Sequence, residues 1–523
     1  MLISSLEGVK LLDASILGLK KEIRKTLDET LVAFIENLNK RSFNNAFFDQ
    51  EEAKVLNELF DLKVKIKPVL PLLIHSGAYE GPCRVGDEKT LDPEFERLQA
   101  MKNFEGFCEK VRSGLTEDGE LLDPAVIEWG EDWIIPEEEM AKLDKDSANV
   151  DLYLIANASL TQHPSVEIAR RYGKPIVKLG QVSSVDISAY LRSRGMEGYA
   201  LIDLEELNRF VRLFKVRKSL MNTRILIVDA GKLLPIGVVS SIWDLEDVKM
   251  RFGIDYKRIS AGEVFDEMDR VIRDEAEQKR AEEITNRLIK NADKIHMKEE
   301  YIRQSVNFYL AAKNLMMKYK CNAFVIPCFE LCVKRIPAEK KVTFCLAHSL
   351  LKDEGYPSAC EGDISALLAM TVLMYLSRKS AYMGNSYMID KEKNIIAVHH
   401  DVPGLKMKGL NAAELPYEIR SFTMGGWGAT LRYDFSRDKG EVVTLARFNP
   451  TATKLFVARG ELVGCGGFDK VGCSLRAEIK VRDARDFFHK EMDFGHHLAM
   501  VYGDYVDDLR YLGEIVGFRI VEA

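Results

Sequence analysis

From Ile364 to Leu376 the chain reads as one apolar helix, and the residues at its mouth are carboxylates. Ser358-Ala359-Cys360-Glu361-Gly362-Asp363 leads into it. Tyr382-Met383-Gly384-Asn385 follows its far end, and Gly495-His496-His497 supplies imidazoles much later in the chain. A first-turn Glu stabilises the helix dipole, which is the plain reading of Glu361. A carboxylate, an amide oxygen and an imidazole gathered from distant positions also make a site for a hard or borderline divalent cation such as Mn²⁺.

Composition narrows the function classes. The 523 residues suit two to four domains. A net charge of −7 leaves no polybasic footprint, so nucleic acid is not the expected partner. No apolar run reaches the ~18 residues that span a bilayer. The stretch from Met1 to Lys21 is interrupted by charges and lacks a small-residue cleavage site, unlike a signal peptide. Nine scattered cysteines favour a reduced, cytoplasmic protein over a disulfide framework. Cys328 and Cys332 have no matching second pair, so a structural zinc site is not expected.

Three units follow one another along the chain. Lys20 to Leu38 has apolar residues at helical spacing. Asp151–Ala156 reads as a buried strand, Ser165–Tyr172 as a helix stopped by Gly173, and Pro175–Leu179 as the next strand. That order argues for a parallel α/β unit. A second unit opens with the strand Arg224–Asp229, continues through mostly helical sequence over 262–320 and returns to a strand at Cys321–Cys328. Neither unit carries Gly-x-Gly-x-x-Gly after its strand, so dinucleotide binding has no support. Beyond Phe344 one long helix precedes β-like segments at Asn394–His399, Val442–Phe448, Lys454–Leu462 and Leu475–Val481, and a helix at Tyr505–Val516 closes the chain. This reads as an antiparallel β domain with a covering helix.

From about Ala323 to the C-terminus the segments resemble the L-fucose isomerase and L-arabinose isomerase superfamily. There the Glu of a Cys-Glu-Gly-Asp-like segment is a metal ligand, and Glu361 sits in its place. The second ligand, an Asp in the fucose isomerases, lies 24 residues on; here position 385 is Asn. The third is a His followed by a Gly six residues later and an Asp-Leu pair, a spacing that His497, Gly503 and Asp508-Leu509 reproduce. The resemblance implies Glu361, Asn385 and His497 as metal ligands, for Mn²⁺ with Mg²⁺ or Co²⁺ as alternatives. It implies two N-terminal Rossmann-like α/β domains, 1–217 and 218–343, then a β-rich, antiparallel barrel-like domain, 344–523, that carries the metal site. It also implies a cytoplasmic homo-oligomer (trimer, tetramer or hexamer), with one subunit's N-terminal domain helping to close another's active site.

The implied activity is aldose–ketose isomerisation of an open-chain sugar through an enediol, an intramolecular oxidoreduction. It needs an electrophile on the two oxygens and a base that carries a proton between C2 and C1. Glu361 is the ligand and a candidate base. Asn385 cannot accept a proton at neutral pH and lowers the ligand charge from −2 to −1 if Glu361 and His497 complete the set; a Gly-Asn pair is equally a turn. His399, in His399-His400-Asp401, resembles a strand-end His of the arabinose isomerases and is a candidate catalytic or metal neighbour, with His400 a candidate sugar contact. Asp363, two residues past Glu361, faces another way on a helix and suits a cap or a supporting contact. His497 is preferred to His496 by the Gly503 offset, since adjacent strand residues point to opposite faces. Glu330 lies where the arabinose isomerases place another catalytic Glu. Lys334, Arg335, Lys340 and Lys341 form a basic cluster suited to an anionic sugar substituent or to solvent, with Arg335 the candidate contact, and Trp427 is a Gly-flanked platform for a sugar face. Rival readings are an epimerase or aldolase-like carbohydrate enzyme, or a non-catalytic sugar-binding protein.

Overall fold

The computed structural model describes residues 57–74, 92–130, 132–157, 161–180, 182–231 and 237–523. The helical spacing at Lys20–Leu38 lies outside them. The first sheet is parallel throughout, in the order β2 (Gly119–Leu121), β1 (Val64–Ile74), β4 (Leu152–Ile155), β5 (Ile176–Leu179), β6 (Gly198–Leu201), with β3 (Ala125–Gly130) also on β1. Strands covered on both faces carry near-continuous apolar sequence, and all of β4 is buried. The helix Gln162–Tyr172 connects β4 to β5 and ends on Gly173 at φ +60°, a left-handed cap that glycine adopts without strain. Helix α1 (Leu204–Met221) starts at Asp203, whose side chain accepts from the Glu206 amide.

A second parallel sheet runs β11 (Ser358–Ala359), β10 (Ala323–Val325), β7 (Arg224–Asp229), β8 (Asp255–Ser260). The expected helical stretch after it resolves into Ala261–Arg273, Glu275–Asn291 and Glu299–Lys318. Helix α2 (Cys328–Val333) leaves the end of β10, and α3 (Ile364–Ser377) follows β11. A small third sheet joins β9 (Lys294–Ile295), β14 (Glu418–Ser421) and β15 (Ala429–Arg432).

The C-terminal half is β-rich and antiparallel. Its large sheet runs β16 (Val442–Phe448), β19 (His497–Tyr502), β12 (Tyr382–Asp390), β13 (Ile395–His399), β18 (Arg476–Val481), β17 (Lys454–Gly466), with β20 (Arg519–Glu522) parallel to β17. Additional pairing of β16 with β17 closes it on itself, so that β16 is not left as an open edge. Alternate residues fill one face with Tyr382, Ile396, Val398, Leu445, Phe456, Ile479, Leu498 and Met500.

Every residue of α3 from Ile364 to Leu376 is buried. A helix apolar on all sides needs partners on all sides, and one core cluster packs α3 with Val64 and Leu154 of the first sheet, Ile225 and Val325 of the second, and Ala446, Ala499 and Val501 of the barrel. The helix thus fixes the mouth of the second sheet against β19. The described residues all belong to one compact unit, Leu56–Ala523, and among them no helix is long and apolar enough to cross a membrane.

One local expectation fails. Gly384-Asn385 is not a turn but the middle of β12, with Gly384 opposite Leu498 and Asn385 opposite both His497 and His399. Glycine is needed there because a Cβ would stand 2.7 Å from the His399 main chain.

Candidate metal centre

Three peptide segments converge at the carboxyl ends of β10 and β11. Past Ala359 the chain turns through Glu361 at φ +58° and Gly362 at φ +68°, a left-handed pair that is costly for the non-glycine residue. The turn lets Asp363 cap α3, its Oδ1 accepting from the Ala366 amide at 3.1 Å, while the Glu361 carboxylate projects toward β19 and the end of β13. His400, just past β13, is fully buried with Nε2 3.1 Å from Glu361 Oε1. His497, the first residue of β19, is also fully buried, with Nε2 3.7 Å from Glu361 Oε2. The two imidazole rings stand 5.6 Å apart, edge to face. One ligand atom from each of Glu361, His400 and His497 lies within 4.8 Å of the others.

The His497 ring is held from behind. Its Nδ1 is 2.9 Å from Asp363 Oδ2, and that oxygen also accepts from Arg447 Nη1 at 2.6 Å. Arg447 is itself fully buried and donates to the carbonyls of Phe494 and His497. With a proton on Nδ1 shared with Asp363, Nε2 presents a lone pair, and it is a buried nitrogen with no hydrogen-bond partner among the described residues. This carboxylate–imidazole arrangement is the one that orients metal-binding histidines. Donors around a cation at about 2.1 Å stand roughly 3 Å apart, so a small closure of the cluster suffices. The residues present therefore fit a divalent cation, with Glu361, His400 and His497 as its protein ligands.

Electrostatics follow from the same contacts. Burial pushes the Glu361 carboxyl up, but His400 and His497 outweigh it and hold the pKa below the usual value. Burial likewise works against an ionised Asp363, and Arg447 and His497 hold it far below the carboxylate range. Burial disfavours a charged His400; the Cys473 sulfur, 3.8 Å from Nδ1, and Glu361 override it and raise its pKa to about 10. His399 goes the other way, lowered chiefly by burial.

The remaining sequence candidates take varied positions. Asn385 shares a sheet row with His497 and His399, and directly opposed residues of antiparallel strands face the same side. His399 is half-buried, its Nδ1 3.1 Å from the Asn385 carbonyl and its ring 5.1 Å from Tyr387. Glu330, in the first turn of α2, is 2 % exposed, and Gly237 donates its amide to Oε1 at 3.4 Å. A Cβ at Gly237 would stand 3.1 Å from Glu361 Oε2, so both carboxylates border the same glycine. His496 is exposed, its ring 4.6 Å from that of His497.

The basic cluster disperses. Lys334 donates to the Ala230 carbonyl, Lys340 pairs with Asp269 at 2.7 Å, and Lys341 sits 5.7 Å over the Trp427 ring. Arg335 is exposed in a left-handed link at φ +63°, and Trp427 lies between β14 and β15 in the small sheet. Sequence reasoning missed Arg447 and Cys473, because an Arg inside an apolar strand and a Cys in a loop carry no motif. It also missed the buried pair of Asp401 with Arg432, which fixes the turn after β13.

No protein-family profile matches the chain. A curated protein named sulfoquinovose isomerase, from Alkalicoccus urumqiensis, is 24% identical over 230 residues, 42% of this chain and 48% of that protein. The match thus spans about half the length of the curated relative. Among solved structures, an ABC transporter periplasmic solute binding protein from Actinobacillus succinogenes 130z with bound D-allose aligns at 12% identity over 53% of this chain and 83% of that one. Its TM-score is 0.14, and at that value the likeness carries no argument.

Proposed function

We propose that this protein is a metal-dependent aldose–ketose isomerase acting on an open-chain sugar. The observation that carries the reading is the buried, partnerless Nε2 of His497 facing Glu361 and His400, and the similarity to a protein named sulfoquinovose isomerase supports it. A divalent cation, Mn²⁺ by preference, supplies Lewis-acid polarisation of the sugar's carbonyl oxygen. The chain's own residues do the rest. Asp363 and Arg447 keep His497 Nε2 aimed into the site. Glu361, in the left-handed turn that precedes the helix, turns its carboxylate toward both imidazoles as a metal ligand and second candidate base. Glu330, bordering Gly237 with Glu361, takes the proton from C2 and returns it at C1. Asn385 and His399 line the neighbouring face, where a neutral amide and a neutral imidazole bind hydroxyls without competing for that proton.

The proposal extends to the division into domains 1–217, 218–343 and 344–523 and to a homo-oligomer. The eight described cysteines are free thiols, which suits a reducing cytoplasmic setting. The test is proton NMR in D₂O of pentoses, 6-deoxyhexoses, hexoses and sulfoquinovose with the protein and Mn²⁺, against an EDTA control. Chelator-sensitive loss of the C2–H signal with ketose formation is expected. Bound Mn²⁺ without conversion of any sugar would refute the reading and favour a binding protein; an aldose epimer or a shortened carbon chain would mark the epimerase or aldolase-like alternative.

A further inference from the structure

Two cysteines meet beneath the candidate metal centre, and the isomerase reading gives them no role. Cys328 opens α2, two residues before Glu330; Cys360 ends the segment after β11, directly before Glu361. The two segments run side by side: Val325 pairs with Ala359, and Gly362 donates its amide to the Ile326 carbonyl at 3.0 Å. Continued one step, that register sets Cys360 beside Ile326, two residues before Cys328 at the start of α2. The sulfurs are 2.9 Å apart. Cys360 is 2 % exposed and Cys328 is half-buried, so a small oxidant reaches Cys328 first.

We infer that Cys328 and Cys360 form a dithiol oxidation site whose closure to a disulfide re-seats Glu361; the consequence for metal binding rests on the proposed function. The oxidant is hydrogen peroxide. Cys328 sulfur attacks one peroxide oxygen as the O–O bond breaks, giving a sulfenic acid and water. Cys360 sulfur then displaces the sulfenic oxygen as a second water. Each sulfur is oxidised by one electron, the peroxide is reduced by two, and both thiol protons leave in the waters. An S–S bond is about 2.05 Å long, so closure draws the two sulfurs, now 2.9 Å apart, together by most of an ångström. Glu361 follows Cys360 in a left-handed turn with little freedom to compensate. The bond therefore moves the carboxylate relative to His400 and His497.

The full-length reduced protein, titrated with hydrogen peroxide, tests this. Three things are measured: peptide mapping of cross-links, amide hydrogen exchange of 358–364, and Mn²⁺ affinity by calorimetry. Expected are a Cys328–Cys360 linked peptide, altered exchange in 358–364 and about tenfold weaker Mn²⁺ binding, all reversed by dithiothreitol. C328S blocks all three, whereas C332S, which alters the exposed neighbour, retains them. Absence of the linked peptide, or a linked peptide with unchanged exchange at 358–364, overturns the inference. Reduced protein that binds no Mn²⁺ counts against the proposed function instead, and cross-linking and exchange still decide the dithiol.

Discussion

Asp363 accepts hydrogen bonds from three directions: the Ala366 amide at the start of α3, Arg447, and His497 Nδ1. One oxygen serves the helix and the other serves the imidazole, so a single side chain ties the site to the core. Because its pKa is depressed in the folded state, its stabilisation is present above the unfolded carboxyl range and is lost only in strong acid. Asp363→Asn leaves Arg447 buried without its counter-ion, which costs roughly 3–5 kcal/mol; urea unfolding of the apo protein reads this. The same change weakens Mn²⁺ binding by about 10–100-fold, and calorimetric affinity equal to that of the parent would remove Asp363 from the metal-orienting role. His400 gives the opposite sign. Its folded pKa of about 10 lies above the value of about 6.5 for a free imidazole. Its contribution to apo stability is therefore complete below about pH 6.5 and fades as the pH rises toward 10. An imidazole ligand must be neutral, so cation binding at pH 7 displaces about one proton from the site. Calorimetry in buffers of different ionisation enthalpy measures that proton; a buffer-independent enthalpy would exclude a His400 that is protonated in the metal-free site and becomes a ligand on binding.

Elements were legible wherever packing left a periodic trace. The strands at β4, β5, β7 and β16, the helices Gln162–Tyr172 and α3, and the terminal helix Val506–Val516 lie where apolar runs and caps placed them. Glu361 and His497 were singled out through the family resemblance, and Asp363 through its offset from Glu361. β12 was not legible as a strand, because its Gly-Asn pair has turn chemistry while its strand conformation comes from ladders on both sides. The convergence of His400 on Glu361 was not legible either, since it depends on the turn after β13. That turn is set by Asp401, which accepts from the Ser474 and Leu475 amides and pairs with buried Arg432. Gly384→Ala tests the close approach of β12 and β13: the added Cβ would meet the His399 main chain, and backbone cannot swing aside as a flexible side chain does. A loss of about 1–3 kcal/mol in urea unfolding is expected, together with weaker Mn²⁺ binding because His399 and His400 are adjacent. Stability within about 0.5 kcal/mol of the parent would mean that the two strands can separate there.

At the scale of the whole molecule, the candidate ligands belong to parts of the fold that sequence distance keeps separate. Glu361 stands at the mouth of a parallel sheet, His497 on a strand of the antiparallel barrel and His400 just past another of its strands. The packing of α3 against both is apolar and non-directional, so it brings the two together without fixing the ångström-level register that a coordination shell needs. That register is left to Asp363 and Arg447, which hold the His497 ring. On the proposed function, a bound cation acts as a cross-link between the two sheets that the unfolded chain cannot form, and its binding free energy adds to folding. At a free concentration one hundred times the dissociation constant the gain is about 2.7 kcal/mol, which for a chain of this length raises the melting temperature by a few degrees. Mn²⁺ should therefore raise the melting temperature of the parent protein in a concentration-dependent way, EDTA should reverse it, and Glu361→Gln should remove most of the shift. A shift of equal size in Glu361→Gln would place the bound ion elsewhere and detach the stability of this interface from the candidate centre.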